Sequence, residues 1–341
     1  MEPTPTILFK NHTGEELAVL LAPFGVNPKL AGKLQSAILR NALDEVPKVI
    51  EQTSWRVLKK VENATRIPTL HLIDKQVSPR DGFTKYLFKG EGDEPFETVR
   101  IPLLHVKGQE KYVVCVSSQV GCAMGCAFCA TAKMGFRRNL QPWEIVDQVI
   151  QIRKDSSYPV RGVVFMGMGE PLLNYKNVLL AIDKITDPDG LAMSPRRITL
   201  STSGIPKMIK KMADDKVKFD LAVSLHSARQ EVREKIMPFA NKFPLNDLSK
   251  SLAYWYQYTK KQITFEYVIW EGINDKKEDI QALIKFCHQI PSKVNLIQYN
   301  PIDNSLMKEA SEEIIESYLK NKTRQGNFRN VVSQLTYDFI D

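Results

Sequence analysis

Residues 115–129 read Cys115-Val-Ser-Ser-Gln-Val-Gly-Cys-Ala-Met-Gly-Cys-Ala-Phe-Cys129 and hold four of the five cysteines of the 341-residue chain. Three of these cysteines, Cys122, Cys126 and Cys129, are separated by three and then two residues. Thiolates at this spacing can wrap one corner of a cubane iron–sulfur cluster, and three of them leave one of the four irons open. Glycines at positions 121 and 125 let the backbone turn tightly around the sulfide atoms. The stretch therefore predicts a four-iron cluster with one iron available for chemistry.

A structural zinc site is the alternative interpretation of the same thiols. Structural zinc sites usually combine two cysteine pairs that are separated by a longer spacer. Cys115 could supply a fourth ligand, but it stands on a predicted strand. The spacing therefore favours the iron–sulfur cluster.

From Lys111 onwards the chain alternates between strand-like apolar runs and helical patterns. This alternation is typical of a parallel sheet covered by helices. We predict strands at 112–117, 162–166, 197–201, 219–224, 263–270 and 293–299. Helical patterns lie between them, such as those at 142–153, 177–185, 205–213 and 276–288. Six strands are too few for a closed eight-stranded barrel. The expected fold class is α/β, a partial (β/α)6 barrel of the TIM type with its site at the carboxyl ends of the strands.

Before this core, the apolar spacing over residues 14–61 predicts helices that are interrupted at Ala22-Pro-Phe-Gly-Val-Asn-Pro28. Two short strands around turns at 79–82 and 90–95 predict a β-hairpin. We expect a helical accessory domain at 1–75, a β-hairpin linker at 76–110 and the core at 111–341. The first domain carries a basic set of side chains: Lys29, Lys33, Arg40, Lys48, Arg56, Lys59 and Lys60. These side chains form either a solvated helix face or a surface for RNA.

The composition and the N-terminal sequence indicate which partners the protein binds and in which cell compartment it works. The net charge is +8 and the sequence pI is about 9.1, which favours polyanionic partners such as nucleic acid or an acidic membrane surface. The first residues are neither a signal peptide nor a membrane helix, so we expect a cytoplasmic protein. Of the two kinds of polyanionic partner, we expect RNA and no membrane. In that reducing compartment five cysteines are not expected to form structural disulfides.

The cysteine spacing, placed after the first strand of a partial barrel, resembles the radical S-adenosylmethionine (SAM) superfamily. Further motifs resemble the RlmN/Cfr family of RNA methyltransferases, and they occur in the order in which that family has them. They are Phe136-Arg-Arg-Asn-Leu140, Gly167-Met-Gly-Glu-Pro-Leu-Leu-Asn174, Thr199-Leu-Ser-Thr-Ser-Gly204, Ser224-Leu-His226 and Asn300-Pro301.

The resemblance implies a role for each matching residue. Cys122, Cys126 and Cys129 would ligate a [4Fe-4S] cluster. SAM would be bound by Gly169, Glu170, Ser201, Ser224, Leu225, His226 and Asn300. Glu97 matches the proton acceptor at the target adenine, and Cys115 matches the thiol that resolves a protein–RNA adduct. Without the resemblance, Glu97 would be interpreted as a solvated carboxylate, which is the usual case on a surface hairpin. His226 would be interpreted as a structural histidine, which is the more common role at a strand end.

Three further side chains are predicted to pack and are given no chemical role. Met124 and Phe128 pack either over the cluster and the adenine of SAM or into the ordinary core. Cys287 is predicted to be a buried, unreactive thiol on a helix.

The implied activity is methylation of adenine C2 in 23S rRNA and tRNA, and chemistry at C8, as in Cfr, stays open. The expected partners are these RNAs and an electron donor such as flavodoxin or ferredoxin, and the expected state is a monomer. A non-catalytic RNA-binding module is a further alternative, which the intact cysteine motif disfavours.

The C-terminal end departs from the family pattern. In the family, the last strand runs into Asp-Ile-Asp-Ala-Ala-Cys-Gly-Gln-Leu, and this cysteine carries the methyl group. Here the sequence reads Asp338-Phe-Ile-Asp341, and no cysteine follows Cys287. We expect that the chain as written does not use the family's methyl shuttle. Either a tail continues beyond Asp341, or the protein is a diverged paralogue that cleaves SAM without methylating RNA.

Overall fold

The computed structural model describes residues 7–104, 106–302 and 306–323 of the chain. The chain forms two compact units. Unit 1 comprises Met1–Val120, Arg138–Met168 and Leu173–Ile198, and unit 2 comprises Gly121–Arg137, Gly169–Leu172 and Thr199–Asp341. These units cut across the expected domain boundaries at residues 75 and 110, which stay a prediction. The C-terminal segment around Asp338 lies outside the described residues.

The N-terminal part of unit 1 contains the predicted helices. Its elements are β1 (Ile7–Leu8), α1 (Gly14–Leu21), α2 (Pro28–Arg40), α3 (Trp55–Ala64) and β2 (Thr65–Arg66). Thr13 begins α1 with a capping box, because its hydroxyl accepts from the N–H of Glu16 while the Glu16 carboxylate accepts from the N–H of Thr13. Gly25 adopts φ +88° at the predicted break before α2.

A buried ion pair attaches this N-terminal segment to the rest of unit 1. The Lys10 ammonium lies 2.6 Å from the Asp147 carboxylate, and both side chains are fully buried. Lys10 also donates to the carbonyl oxygen of Pro68 at 2.8 Å, and the N–H of Leu70 donates to Asp147 at 2.7 Å. These added hydrogen bonds satisfy the two buried charges.

The sheet of unit 1 is mixed. Its strands, in spatial order, are β3 (His71–Val77), β4 (Thr84–Lys89), β5 (Phe96–Leu103), β6 (Lys111–Cys115) and β9 (Val160–Phe165). The pairs from β3 to β6 are antiparallel, and β6 pairs with β9 in parallel. The sequence predicted only two strands before the core. It missed β3 because all seven residues of β3 are exposed and give no alternation between buried and exposed positions.

Unit 1 contains further elements between Gln119 and Thr186. They are β7 (Gln119–Val120), β8 (Arg138–Asn139), α5 (Pro142–Lys154) and α6 (Tyr175–Thr186). Strands β7 and β8 pair antiparallel, with Val120 opposite Arg138. This pairing therefore holds together the two ends of the segment between Val120 and Arg138.

Unit 2 contains four strands that run parallel and are hydrogen-bonded in chain order. Its elements are α4 (Ala130–Lys133), β10 (Ile198–Thr202), α7 (Pro206–Asp214), β11 (Asp220–Ser224), α8 (Gln230–Ile236), α9 (Leu245–Thr259), β12 (Ile263–Ile269), α10 (Lys277–Cys287), β13 (Ser292–Gln298) and α11 (Glu312–Thr323). Six of the seven residues of β12 are buried. Such burial agrees with a strand that is covered on both faces.

The predicted α/β class is confirmed, and all six predicted core strands are present as β6, β9, β10, β11, β12 and β13. The sequence analysis singled out neither α8 nor α9. The seven residues of α8 include only two aliphatic side chains, Val232 and Ile236, too few to establish a helical period. Within the described part of the chain, no helix is both long enough and apolar enough to cross a membrane.

Candidate functional site

The three clustered cysteines lie on the cluster loop, residues 121–137 of unit 2. The loop closes through backbone bonds, with the N–H of Cys122 donating to Gly135 at 3.2 Å and the N–H of Cys129 to Cys126 at 3.2 Å. Gly121 adopts φ +71°, and a Cβ built on it would lie 1.8 Å from the carbonyl oxygen of Gly135. The loop therefore requires glycine at position 121, both for conformation and for space.

The three thiols are half-buried and act on one another electrostatically. Burial raises the pKa of Cys122 to about 11. Burial also raises the pKa of Cys126 strongly, and charges on Cys129 and Cys122 raise it further. Thiolates at these positions therefore need a strong cation to stabilise them.

Glu170 connects the segment Gly169–Leu172 to the end of β10. Its Oε1 accepts from the Thr202 hydroxyl at 2.8 Å and from the N–H of Leu172 at 3.0 Å. Its Oε2 accepts from both the N–H and the hydroxyl of Ser203, at 2.7 and 2.6 Å. Burial raises the pKa of Glu170, and these hydrogen bonds oppose the rise. An incoming ammonium group would have to share the carboxylate with two hydroxyls that can rotate away.

Ser224 ends β11, and Leu225 and His226 follow it in the turn. The N–H groups of Leu225 and His226 both donate to the carbonyl oxygen of Glu266, at 3.0 and 3.3 Å. His226 adopts φ +53°, which is strained for a residue that is not glycine. Asn274 stabilises this conformation by donating to the carbonyl oxygen of His226 at 2.7 Å. The side chain of Leu225 is fully buried.

Contacts between aromatic rings connect the cluster loop to the turn at His226. The ring of Phe128 packs edge-on against His226 with centroids 4.7 Å apart, and it lies 5.1 Å from Trp270. Met124 is buried as well. Of the two interpretations of Phe128, core packing is observed directly, and it brings the cysteine loop against the His226 turn.

Two further sequence-predicted residues of unit 2 also lie at or beyond strand ends. Ser201 is on β10 opposite Ala222 of β11, and it is almost completely buried. Asn300 is half-buried and lies two residues beyond the end of β13. Unit 2 thus contains every residue predicted for the cluster and for SAM.

Cys115 and Glu97 both belong to unit 1. Cys115 ends β6 opposite Val99 of β5, so Glu97, two residues from Val99, projects to the same face of the sheet as Cys115. Cys115 is buried, whereas the Glu97 side chain is 44% exposed and lies 3.2 Å from the Lys85 ammonium. The structure therefore places these two residues on the same face of neighbouring strands.

Comparison with known proteins identifies the family. Residues 116–287 match the model of the Radical SAM superfamily. A probable dual-specificity RNA methyltransferase RlmN of Flavobacterium johnsoniae is 54% identical over 252 residues, which cover 73% of this chain and 71% of that protein. A dual-specificity RNA methyltransferase RlmN of Syntrophotalea carbinolica is 37% identical over 319 residues, which cover 93% of this chain and 83% of that protein. The chain belongs to the RlmN family.

A solved structure agrees with this assignment. The crystal structure of a radical SAM methyltransferase from Sphaerobacter thermophilus has a TM-score of 0.85 and 29% identity, and the match covers 96% of this chain and 95% of that chain. The family match and this structural similarity support the predicted radical SAM fold of the chain.

Membership of the RlmN family implies a [4Fe-4S] cluster and SAM as cofactors. The donor set fits the cluster, because three half-buried thiols share one loop and influence one another's charge. Among the described residues, no three His, Cys, Asp or Glu side chains converge on a single metal ion. A cubane does not require such convergence, since each thiolate binds a different iron.

Sequence reasoning missed several side chains of this RlmN-family site. Thr202 and Ser203 lie inside the quoted motif Thr199–Gly204, so their proximity to Glu170 could have been anticipated. Arg233 and Asn274 gave no signal, because their importance comes from burial and hydrogen bonds across elements that are distant in sequence.

Proposed function

We propose that the protein is a radical SAM methyltransferase that methylates C2 of adenine in 23S rRNA and tRNA. The observation that carries the proposal is the packing of the three-cysteine loop, through Phe128, against the His226 turn in the unit that also holds Glu170. The similarity to proteins named dual-specificity RNA methyltransferase RlmN supports the substrate class. When bound, the cluster and SAM supply the radical chemistry that activates the methyl group.

The residues of unit 2 bind and orient these cofactors. Cys122, Cys126 and Cys129 ligate the cluster as thiolates. SAM is held by Gly169, Glu170, Ser201, Ser224, Leu225, His226 and Asn300. Glu170 accepts from the ammonium group of SAM when the hydroxyls of Thr202 and Ser203 rotate away. Leu225 contributes through its backbone, since its side chain is fully buried.

Two residues of unit 1 act on the RNA base. The exposed carboxylate of Glu97 accepts the proton that leaves C2 of the adenine. In a chain that carries the family's C-terminal cysteine, the thiol of Cys115, on the same face of the paired strands, would attack the sulfur of that cysteine, so that a disulfide forms as the bond between this sulfur and the methylated base breaks. A target base must leave its stack to reach such groups.

The basic N-terminal helices bind the RNA backbone. Arg56, Lys59 and Lys60 are exposed on α3, and Lys29 and Arg40 are exposed on α2. Phosphate contacts of this kind make log K fall linearly with log salt. Changing both Lys59 and Lys60 to Gln should reduce the salt slope by about 2. Lys210→Gln, on the exposed face of α7, should leave the slope unchanged.

The decisive test is methylation of defined RNAs under anaerobic, reducing conditions. Because no cysteine follows Cys287, we would assay the 341-residue chain beside the same chain extended by Ala-Ala-Cys-Gly-Gln-Leu. We expect the extended chain to form 2-methyladenosine in 23S rRNA fragments and tRNA, measured by mass spectrometry of nucleosides. 8-Methyladenosine alone would contradict the C2 assignment. SAM cleavage without any RNA methylation by the extended chain would contradict the methyltransferase proposal.

Cys115 has a matched control in Cys287, which is buried on α10 with its pKa raised to about 12 by burial. In the extended chain, Cys115→Ala should stop product release and accumulate a covalent protein–RNA adduct, visible on denaturing gels. Cys287→Ala should behave like the unchanged protein. We further propose a monomer that receives electrons from a flavodoxin or ferredoxin. Gel filtration and reduction by each donor protein test these two points.

A further inference from the structure

Arg233 of α8 is a fully buried cation with no ion pair to an acidic side chain in the described part of the chain. Its Nη1 atom is covered by protein and has no hydrogen-bond partner among the described residues. Burying a guanidinium without a counter-ion is costly, so such a residue is expected to serve an anion nearby.

The other guanidinium nitrogens bind three carbonyl oxygens. Nη2 donates to Ser203 at 2.6 Å and, at 3.4 Å, to Ser224, while Nε donates to Leu225 at 3.2 Å. Arg233 therefore ties the carboxyl end of β10 to that of β11, where the proposed SAM residues lie. A neutral donor could make these bonds. The guanidinium also lies 5.4 Å from the centroid of the Phe239 ring, but this contact supplies no negative charge to balance the cation.

The cluster loop lies directly against the helix that carries Arg233. The N–H of Ala127 donates to the carbonyl oxygen of Ile236, three residues after Arg233, at 2.9 Å. Cys126 and Phe128 pack against a core that includes Ile236. Burial lowers the pKa of Arg233 to about 10, and the charge of Cys126 opposes this change, so Arg233 stays a cation at neutral pH.

We propose that Arg233 is the fixed counter-charge of the iron–sulfur cluster, and that it raises the reduction potential of the cluster from its buried position on α8, the helix against which the cluster loop packs. This inference rests on the proposed ligation of the cluster by the three cysteines. Three thiolates and an oxidised [4Fe-4S]²⁺ core sum to one negative charge. One electron from a reduced flavin or iron–sulfur protein makes this two, with no bond broken and no proton moved. A buried cation favours the more negative, reduced state, and weak screening strengthens its effect.

Arg233 acts on the cluster through its charge and does not ligate it, so it is a positioning residue. The property that this charge changes is the midpoint potential of the cluster, which the test therefore measures. Reconstituted protein would be titrated with dithionite and followed by electron paramagnetic resonance. At a given potential, Arg233→Met should shift the ratio of reduced to oxidised cluster at least tenfold toward the oxidised form. For a one-electron couple, a tenfold shift corresponds to a midpoint potential 59 mV more negative. Arg233→Lys keeps the charge and should stay close to the wild-type potential. Lys235→Gln, which removes an exposed charge from the same helix, should not shift it.

The outcomes separate this inference from the proposed function. A wild-type protein without iron would overturn the cluster assignment itself. Four irons in Arg233→Met at an unchanged potential would overturn only the role of Arg233. If Arg233→Met fails to hold iron, Arg233→Gln and Arg233→Lys decide the matter. Iron retained in the Lys variant but not in the Gln variant supports the counter-charge. Iron lost from both shows that the three carbonyl bonds alone matter, and the inference fails.

Discussion

The backbone N–H of Val268 donates a hydrogen bond to Nδ1 of His226 at 3.1 Å. A ring nitrogen that accepts a hydrogen bond carries no proton, so the neutral imidazole has its hydrogen on Nε2. Burial, together with the charge of Arg233, lowers the pKa of His226 to about 3. Strand β12 thereby fixes His226 as a neutral donor for the proposed SAM site.

The protonation state of His226 gives a prediction about pH. In ¹⁵N spectra of histidine-labelled protein, the His226 signals should stay those of the neutral Nε2–H form from pH 8 to pH 5. The variant His226→Gln would assign them. A His226 signal that titrates near pH 6.5 would contradict the structure.

The same group affects the free energy of unfolding. The unfolded chain takes up a proton on His226 near pH 6.5, whereas the folded chain does so only near pH 3. The contribution of His226 is therefore complete above pH 6.5 and is lost as the pH falls from 6.5 toward 3. Between pH 7.5 and pH 5 this loss amounts to about 2 kcal/mol. Urea unfolding of the wild type should show a correspondingly larger drop than that of His226→Gln.

Two glycines of the cluster loop form a matched pair. Gly121 and Gly125 have φ of +71° and +70°, but only a Cβ at position 121 would meet the Gly135 oxygen, at 1.8 Å. Gly125→Ala should cost only the conformational strain, roughly 1–2 kcal/mol. Gly121→Ala should displace the loop and reduce iron retention severalfold. Equal iron contents for the two variants would show that the close approach to Gly135 is unimportant.

The buried ion pair of unit 1 predicts a large effect on stability. Lys10→Met leaves the Asp147 carboxylate buried without its cation, which should reduce the free energy of unfolding by roughly 3–5 kcal/mol. Lys59→Met removes an exposed partner of Glu62 and should cost less than about 1 kcal/mol. Chemical denaturation measures both variants. Similar values for the two would mean that Asp147 is not desolvated in solution.

Glu170 predicts an effect on SAM binding. Glu170→Gln keeps the size of the side chain but turns two acceptor oxygens into one acceptor and one donor, facing the donors of Thr202 and Ser203. We expect SAM affinity, measured by calorimetry on the cluster-loaded protein, to fall at least tenfold. Glu313→Gln, on an exposed part of α11, should leave it unchanged. Unaltered affinity in Glu170→Gln would remove Glu170 from the SAM site.

The sequence was sufficient for features that are local. The spacing of Cys122, Cys126 and Cys129 was visible directly, and the continuous apolar runs located the parallel strands, such as β12. Helical spacing also located α1 and α2, and the sequence between them encodes the break that contains Gly25.

The remaining features depend on tertiary packing and left no local pattern. The strand β3 is exposed along its whole length and therefore lacks alternation. The contact of Phe128 with His226 joins residues almost a hundred positions apart, and the four bonds to Glu170 were not evident from its motif alone. The charge of Arg233 becomes informative only when its burial is known.

The metal content of anaerobically prepared protein tests the central claim most directly. Iron and zinc would be quantified by plasma mass spectrometry in the wild type and in single alanine variants of the five cysteines. We predict about four irons per chain in the wild type. Cys122→Ala, Cys126→Ala and Cys129→Ala should lose this iron, whereas Cys115→Ala and Cys287→Ala should keep it. One zinc per chain and no iron in the wild type would contradict the account.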